Sequence, residues 1–193
     1  PLRYPLIELA SGAVGVWAAL CFPDPAWALA GAALGWQLLL IAVIDAEHFW
    51  LPDAVTLPLL LSGLFAAVAL DPSNMGSGLQ WSLVGPLKAP LIGAAAGFGG
   101  LWLLALLYRR LRGREGLGGG DPFLLGAIGA WVGWIGLPSV LLWASITGLS
   151  LVGAKLLLRR PVAATDRLPF GVFLAIGAWM TWLYGPLGLG AAG

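Results

Sequence analysis

The stretch AWALAGAALGWQLLLIAVI, residues 26–44, is almost entirely apolar and is followed directly by Asp45. A helix needs about 20 mostly apolar residues to cross the hydrocarbon core of a bilayer, and this stretch has that length. We therefore predict a transmembrane helix that ends at an acidic residue. The whole chain has 193 residues, of which 60% are hydrophobic and 10% charged. Its mean hydropathy of +0.91 lies outside the range of soluble domains.

Six further apolar segments accompany this one. They predict an all-α fold, a polytopic membrane bundle of about seven transmembrane helices, with residues 1–193 forming a single domain. The further segments are Leu6–Phe22, Ala54–Leu70, Ala89–Tyr108, Pro122–Ile135, Val140–Leu158 and Phe170–Tyr184. Pro122–Ile135 is short and rich in glycine. A semi-apolar piece, Leu79–Leu87, is predicted to lie in the membrane interface.

Composition excludes several classes of function. Cys21 is the only cysteine, so the chain has neither an internal disulfide nor a multi-cysteine zinc cluster. The formal net charge is +1, which gives a nucleic-acid partner no electrostatic support. We expect a lipid bilayer as the surroundings and no metal, cofactor or nucleic acid. The oligomeric state is left open.

The basic residues predict the orientation, because Lys and Arg accumulate in cytoplasmic loops. With seven spans and a cytoplasmic N-terminus, only Lys88 falls outside. The others fall on the cytoplasmic side: Arg3, Arg109, Arg110, Arg112, Arg114, Lys155, Arg159, Arg160 and Arg167. The loops Asp45–Asp53 and Gly113–Asp121 then share the cytoplasmic face.

Asp45 is the acidic residue for which a functional role is favoured. A carboxylate at the edge of the hydrocarbon is costly and is by default a candidate for function. If the helix ends at Asp45, its charge also meets the negative end of the helix dipole, which is unfavourable. A partner, a shared proton or water should compensate for this.

Asp121 leaves two interpretations open. It precedes Pro122, and Asp at the N-cap with Pro at the first helical position is an ordinary helix start. It also follows Gly116, Gly118, Gly119 and Gly120, and such a glycine run permits close approach of another chain, for example a substrate peptide. That combination favours a functional site on the same side as Asp45.

The remaining ionisable residues are predicted to be structural. Asp53 is interpreted as a helix cap. Glu8 is placed in the first turn of its helix, where the dipole favours an acid, and a place lining the site is the alternative left open. Glu47 and His48 are predicted to be solvated loop residues. Three other acids are assigned to loops and turns: Asp24, Asp71 and Asp166.

At these positions the chain resembles the type IV prepilin peptidases, membrane aspartic proteases that also process type II secretion pseudopilins. Asp45 followed by Leu51-Pro52-Asp53 is similar to the family's first aspartate block, and Gly118-Gly119-Gly120-Asp121 is similar to its Gly-x-Gly-Asp signature. Further similarity occurs in Arg3-Tyr4-Pro5 with Glu8, Gly129-Ala130-Trp131 with Gly133-Trp134, and Pro169-Phe170-Gly171. The resemblance implies that Asp45 and Asp121 are the catalytic pair. Asp53, Gly118, Gly120 and Glu8 would support them.

The chain departs from the family pattern in two respects. The family usually has Lys two residues after the signature Asp, where this chain has Phe123. Many bacterial relatives also carry an N-terminal helix and a tetra-cysteine domain associated with N-methylation, which this sequence does not contain. Methyltransferase activity is therefore not predicted.

The expected function is endoproteolysis at the cytoplasmic face of a bacterial inner membrane. Two nearby carboxyls share a proton, so the ionised one activates water and the protonated one polarises the scissile carbonyl. The resemblance implies a prepilin or pseudopilin substrate, cut after a glycine between a basic leader and a hydrophobic helix. Two alternatives stay open: a catalytically divergent prepilin-binding assembly factor, motivated by Phe123, and a small ion-coupled transporter.

Overall fold

In the computed structural model, the described residues are 3–72, 84–113, 118–158 and 168–187. They contain helices and no strand, which confirms the predicted all-α class for this part of the chain. The helices are α1 Arg3–Cys21, α2 Pro25–His48, α3 Asp53–Ala69, α4 Val84–Arg112, α5 Asp121–Leu157 and α6 Phe170–Tyr184.

Two turns at the ends of α2 follow from local sequence. Asp24 is the N-cap, and its carboxylate accepts hydrogen bonds from the amides of Ala26, at 2.7 Å, and Trp27, at 3.3 Å. This carboxylate satisfies two of the amides that lack a partner at a helix start. Asp24 thus has a more specific role than that of the loop or turn residue predicted from sequence. At the other end Phe49 adopts the left-handed conformation, with φ 51° and ψ 31°, and stops the helix.

α5 is broken at Gly133, whose φ of 68° and ψ of 175° are not helical. The leg before the break packs on α4, because added Cβ atoms at Gly93 and Gly97 would meet the backbones of Gly129 and Leu125. The leg after the break packs on α6, where Gly177 lies against the backbone of Val140. The two legs therefore correspond to the separately predicted fifth and sixth segments.

Four of the described helices are long and apolar enough to cross a membrane: α1, α2, α4 and α5. α3 and α6 are shorter apolar helices of 17 and 15 residues. The described chain thus has the character of a multi-pass membrane protein, while the number of seven crossings stays a prediction. Residues 84–87 form the first turn of α4, and residues 79–83 lie outside the described part. The location of this piece in the membrane interface stays a prediction.

One end of the bundle carries both candidate aspartates, and we call it the aspartate end. Arg3, at the start of α1, forms an ion pair of 2.8 Å with Glu47 in the last turn of α2. α4 runs antiparallel to the first leg of α5, so its terminal arginines point to the same end as Asp121. Lys88 lies near the start of α4, at the opposite end. Arg114, Arg159, Arg160, Arg167 and Asp166 lie outside the described residues.

Candidate active site

Asp45 lies in the last turn of α2, which continues to His48 rather than ending at the aspartate as predicted. Its side chain is buried, with 4% exposed. Oδ2 accepts a hydrogen bond of 3.1 Å from the amide of Val172, in the first turn of α6. The N-cap of α6, Pro169, makes no side-chain cap bond. Asp45 therefore caps α6 from another helix, which supplies the compensation that a carboxylate at a helix C-terminus requires.

Asp121 is the first residue of α5, and its N-cap is Gly120. The interpretation of Asp121 as the N-cap is wrong, because the carboxylate folds back to the preceding loop. Oδ2 accepts a hydrogen bond of 2.9 Å from the amide of Gly118, and the Asp121 amide donates to the Gly118 carbonyl at 3.2 Å. Asp121 is buried, with 5% exposed. The hydrogen bond from the Gly118 amide therefore holds a buried carboxyl in place.

The two aspartate-bearing segments meet at the α2–α3 connection. The buried side chain of Leu51 lies in this connection. A Cβ atom added at Gly120 would lie 2.8 Å from Cβ of Leu51, and one added at Gly171 would lie 3.0 Å from its Cδ1. A Cβ atom added at Gly171 would also lie 2.8 Å from Oδ2 of Asp45, and Gly120 directly precedes Asp121. Residues far apart in sequence thus converge in one buried place.

The expected supporting residues divide into two groups. Gly118 and Gly120 belong to the site, because Gly118 binds Asp121 and Gly120 contacts Leu51. Asp53 and Glu8 are exposed, and among the described residues neither forms a hydrogen bond or ion pair with Asp45 or Asp121. Gly116 lies outside the described residues.

Several structural expectations for the acids need correction. Asp53 is not a cap, since Pro52 occupies the N-cap of α3 and makes no side-chain bond. Glu8 is not in a first turn, because α1 begins at Arg3. Glu47 and His48 are exposed as predicted, but they belong to the last turn of α2 and not to a loop.

Sequence reasoning missed the partners of Asp45. Gly171 was noticed only as part of a family resemblance, although a Cβ atom there would lie 2.8 Å from Oδ2 of Asp45. Pro169 was the available signal, because proline before an apolar helix supplies no side chain that can cap it. Such a helix start leaves its first amides available to a carboxylate from elsewhere in the chain.

Comparisons with known proteins show the family of the chain. The sequence profile of the type IV leader peptidase family matches residues 32–153, a range that includes both aspartates. The chain belongs to the type IV leader peptidase family. Over 95% of its length it is 42% identical to a Prepilin leader peptidase/N-methyltransferase of Burkholderia pseudomallei (strain 1026b). It is 40% identical to the protein of that name from Aeromonas salmonicida (strain A449), and 37% identical to one from Pseudomonas aeruginosa, again over 95% of the chain.

The chain covers only part of the length of these leader peptidases. The chain spans 55% of the length of the Burkholderia protein, 58% of the Aeromonas protein and 59% of the Pseudomonas protein. No solved structure matches the chain.

Phe123 lies in the first turn of α5. Its ring packs against Phe98 of α4, with centroids 5.0 Å apart, and 49% of the side chain is exposed. Aromatic pairs at such distances are favourable beyond the area that they bury. Phe123 therefore joins α4 to the start of α5 by an apolar contact, two residues from Asp121.

The site offers two buried carboxyls and no metal cluster. Among the described residues, no group of three or more His, Cys, Asp or Glu side chains could hold a metal ion. Each carboxyl accepts a hydrogen bond from a backbone amide, which fixes its orientation. Paired carboxyls are groups that general acid–base activation of water can use.

Proposed function

We propose that the chain is an aspartic endopeptidase that removes the N-terminal leader of type IV prepilins or type II secretion pseudopilins at the cytoplasmic face of the membrane. The observation that carries the proposal is the pair of buried carboxyls, Asp45 and Asp121, whose neighbouring glycines both contact Leu51. Membership of the leader peptidase family and the names of the relatives support the substrate class. The proposal concerns peptide cleavage alone.

In the proposed reaction, the two aspartates carry one proton between them. The ionised carboxylate takes a proton from water as the water oxygen attacks the scissile carbonyl carbon, and the protonated partner donates a hydrogen bond to the carbonyl oxygen. Collapse of the tetrahedral intermediate breaks the C–N bond, and a carboxyl proton passes to the leaving amine. Both carboxyls are then ready to share a proton again.

The site suits a substrate of which one part lies in the bilayer and the other part lies outside it. A prepilin presents a short basic leader followed by a hydrophobic helix, as the family resemblance implies. Such a helix can stay in the bilayer while its leader reaches the aspartate end, whose described basic residues support the cytoplasmic placement.

The decisive experiment is incubation of the purified chain with a prepilin, in parallel with Asp45→Asn and Asp121→Asn variants. The side-chain oxygen of asparagine can still accept the hydrogen bond from the amide of Val172 or Gly118, so the fold should survive. Asparagine cannot take part in proton transfer. We expect cleavage to fall at least about 100-fold in each variant.

Asp24→Asn is the matched control, because asparagine caps a helix as well as aspartate and Asp24 is an exposed N-cap. It should cleave at the parental rate. Leader removal that persists in both site variants would refute the aspartate pair. Binding of prepilin without cleavage by the parent would favour the assembly factor, and proton-coupled uptake into liposomes would favour the transporter.

A further inference from the structure

Leu51 is the only large apolar side chain that the α2–α3 connection, residues 49–52, buries. Phe49 and Trp50 on the same connection are 45% and 65% exposed, whereas Leu51 is 4% exposed. An aliphatic side chain that is buried at the end of a membrane bundle, directly after two exposed aromatics, must be held by specific neighbours. Two of those neighbours are glycines: one directly precedes Asp121, and the other lies against the carboxylate of Asp45.

The first neighbour is Gly120, directly before Asp121. A Cβ atom added there would lie 2.8 Å from Cβ of Leu51 and 2.9 Å from its carbonyl oxygen. Contacts below 3.0 Å are not tolerated by real side chains, so only glycine lets the two backbones approach this closely. The main chain of Leu51 therefore fixes the position at which α5 and Asp121 begin.

The second neighbour is Gly171, in the first turn of α6. An added Cβ atom would lie 3.0 Å from Cδ1 of Leu51 and 2.8 Å from Oδ2 of Asp45. The tip of the leucine side chain thus lies beside the same glycine against which the Asp45 carboxylate rests. One end of Leu51 contacts the Asp121 segment and the other end contacts the binding place of Asp45.

We propose that Leu51 is a positioning residue that sets the mutual placement of the two aspartates, an inference that rests on the proposed function. Its side chain is the rigid link between Gly120 and Gly171, and each glycine lies next to one carboxyl. Catalysis by a carboxyl pair depends on geometry, and a displacement of about 1 Å can cost about 100-fold in rate. Leu51 acts through the aspartates and has no chemistry of its own.

The kinetic test compares Leu51→Ala and Leu51→Met with the parent in prepilin cleavage. Shortening the link should lower kcat at least about tenfold while KM stays within about twofold, because the aspartates lose alignment but the substrate surface is unchanged. Methionine has a similar volume and should restore most of kcat. An unchanged kcat in Leu51→Ala, or equal losses in both variants, would overturn the proposal.

Leu34→Ala separates positioning from loss of core packing. Leu34 is a fully buried leucine of α2 and lies three helical turns before Asp45. Its truncation should lower the thermal stability at least as much as Leu51→Ala does, yet leave kcat near the parental value. A kcat loss in Leu34→Ala that equals the loss in Leu51→Ala would show that destabilisation alone explains the effect.

A second readout does not need activity and so distinguishes failure of this inference from failure of the proposed function. In a Cys21→Ser background, Asp45→Cys and Asp121→Cys are joined by a short thiol-reactive cross-linker and the product is quantified by mass spectrometry. Leu51→Ala should lower the cross-linking yield severalfold and Leu34→Ala should leave it unchanged. Equal yields with Leu51 and with Leu51→Ala would refute the positioning role, whether or not the parent cleaves prepilin.

Discussion

At the scale of single residues, Gly171 gives the sharpest test of how Asp45 is held. A methyl group at this position would lie 2.8 Å from Oδ2 and 2.9 Å from Cγ of Asp45, so the carboxylate must move away from the amide of Val172. We expect Gly171→Ala to lower kcat/KM for prepilin cleavage at least about tenfold. Cleavage assays in detergent measure kcat/KM, and thermal unfolding measures the stability of the variant.

Gly100→Ala is the control for Gly171→Ala. Gly100 lies in α4 with open space around its added Cβ, and alanine is the better helix former by about 1 kcal/mol. This variant should therefore be as active as the parent and no less stable. Parental activity in Gly171→Ala would mean that the Asp45 carboxylate does not need its present position.

Individual residues also show what the sequence alone could and could not predict. Asp45 and Asp121 were recognisable, because acids at the ends of apolar segments are costly and need a reason. Their partners were not recognisable, because the amide of Val172 and the side chain of Leu51 become neighbours only through tertiary packing. The placement of Glu8 in a first turn failed because the helix extends outward to Arg3, beyond its apolar stretch.

At the scale of helices, the break in α5 depends on one residue. Gly133 has φ 68° and ψ 175°, a conformation that is essentially restricted to glycine. We expect Gly133→Ala to lower the free energy of unfolding by about 1–3 kcal/mol, since the β-carbon is incompatible with this backbone. Gly153→Ala, in the second leg with open space around it, should be neutral or stabilising. Equal stability of the two variants in denaturant titrations would mean that the break tolerates any residue.

The helices themselves were largely predictable, because hydrophobic length is a strong signal in a membrane chain. Phe170–Tyr184 has the predicted bounds, and α3 differs from its predicted segment by one residue at each end. The end of α2 was less predictable, since the polar residues Glu47 and His48 look like a loop in sequence. Both residues are exposed, so a polar last turn is acceptable at this end of the helix, and Glu47 also forms the ion pair with Arg3.

At the scale of the whole molecule, the described basic residues divide unequally between the two ends of the bundle. Five of them lie at the aspartate end, namely Arg3, Arg109, Arg110, Arg112 and Lys155, and Lys88 lies at the other end. Lys155 belongs to this set because the second leg of α5 runs antiparallel to α6, whose first turn holds Asp45. The positive-inside rule then predicts that the aspartate end faces the cytoplasm.

Thiol labelling in spheroplasts tests this orientation. In a Cys21→Ser background, a single cysteine replaces either His48, exposed at the aspartate end, or Lys88, exposed at the opposite end. A membrane-impermeant maleimide should label Lys88→Cys in intact spheroplasts and His48→Cys only after permeabilisation, because the bilayer excludes the reagent from the cytoplasmic face. Labelling of His48→Cys without permeabilisation would place the aspartates outside. A cytoplasmic leader could then not reach them, and the proposed substrate would be wrong for this chain even if the carboxyl pair were catalytic.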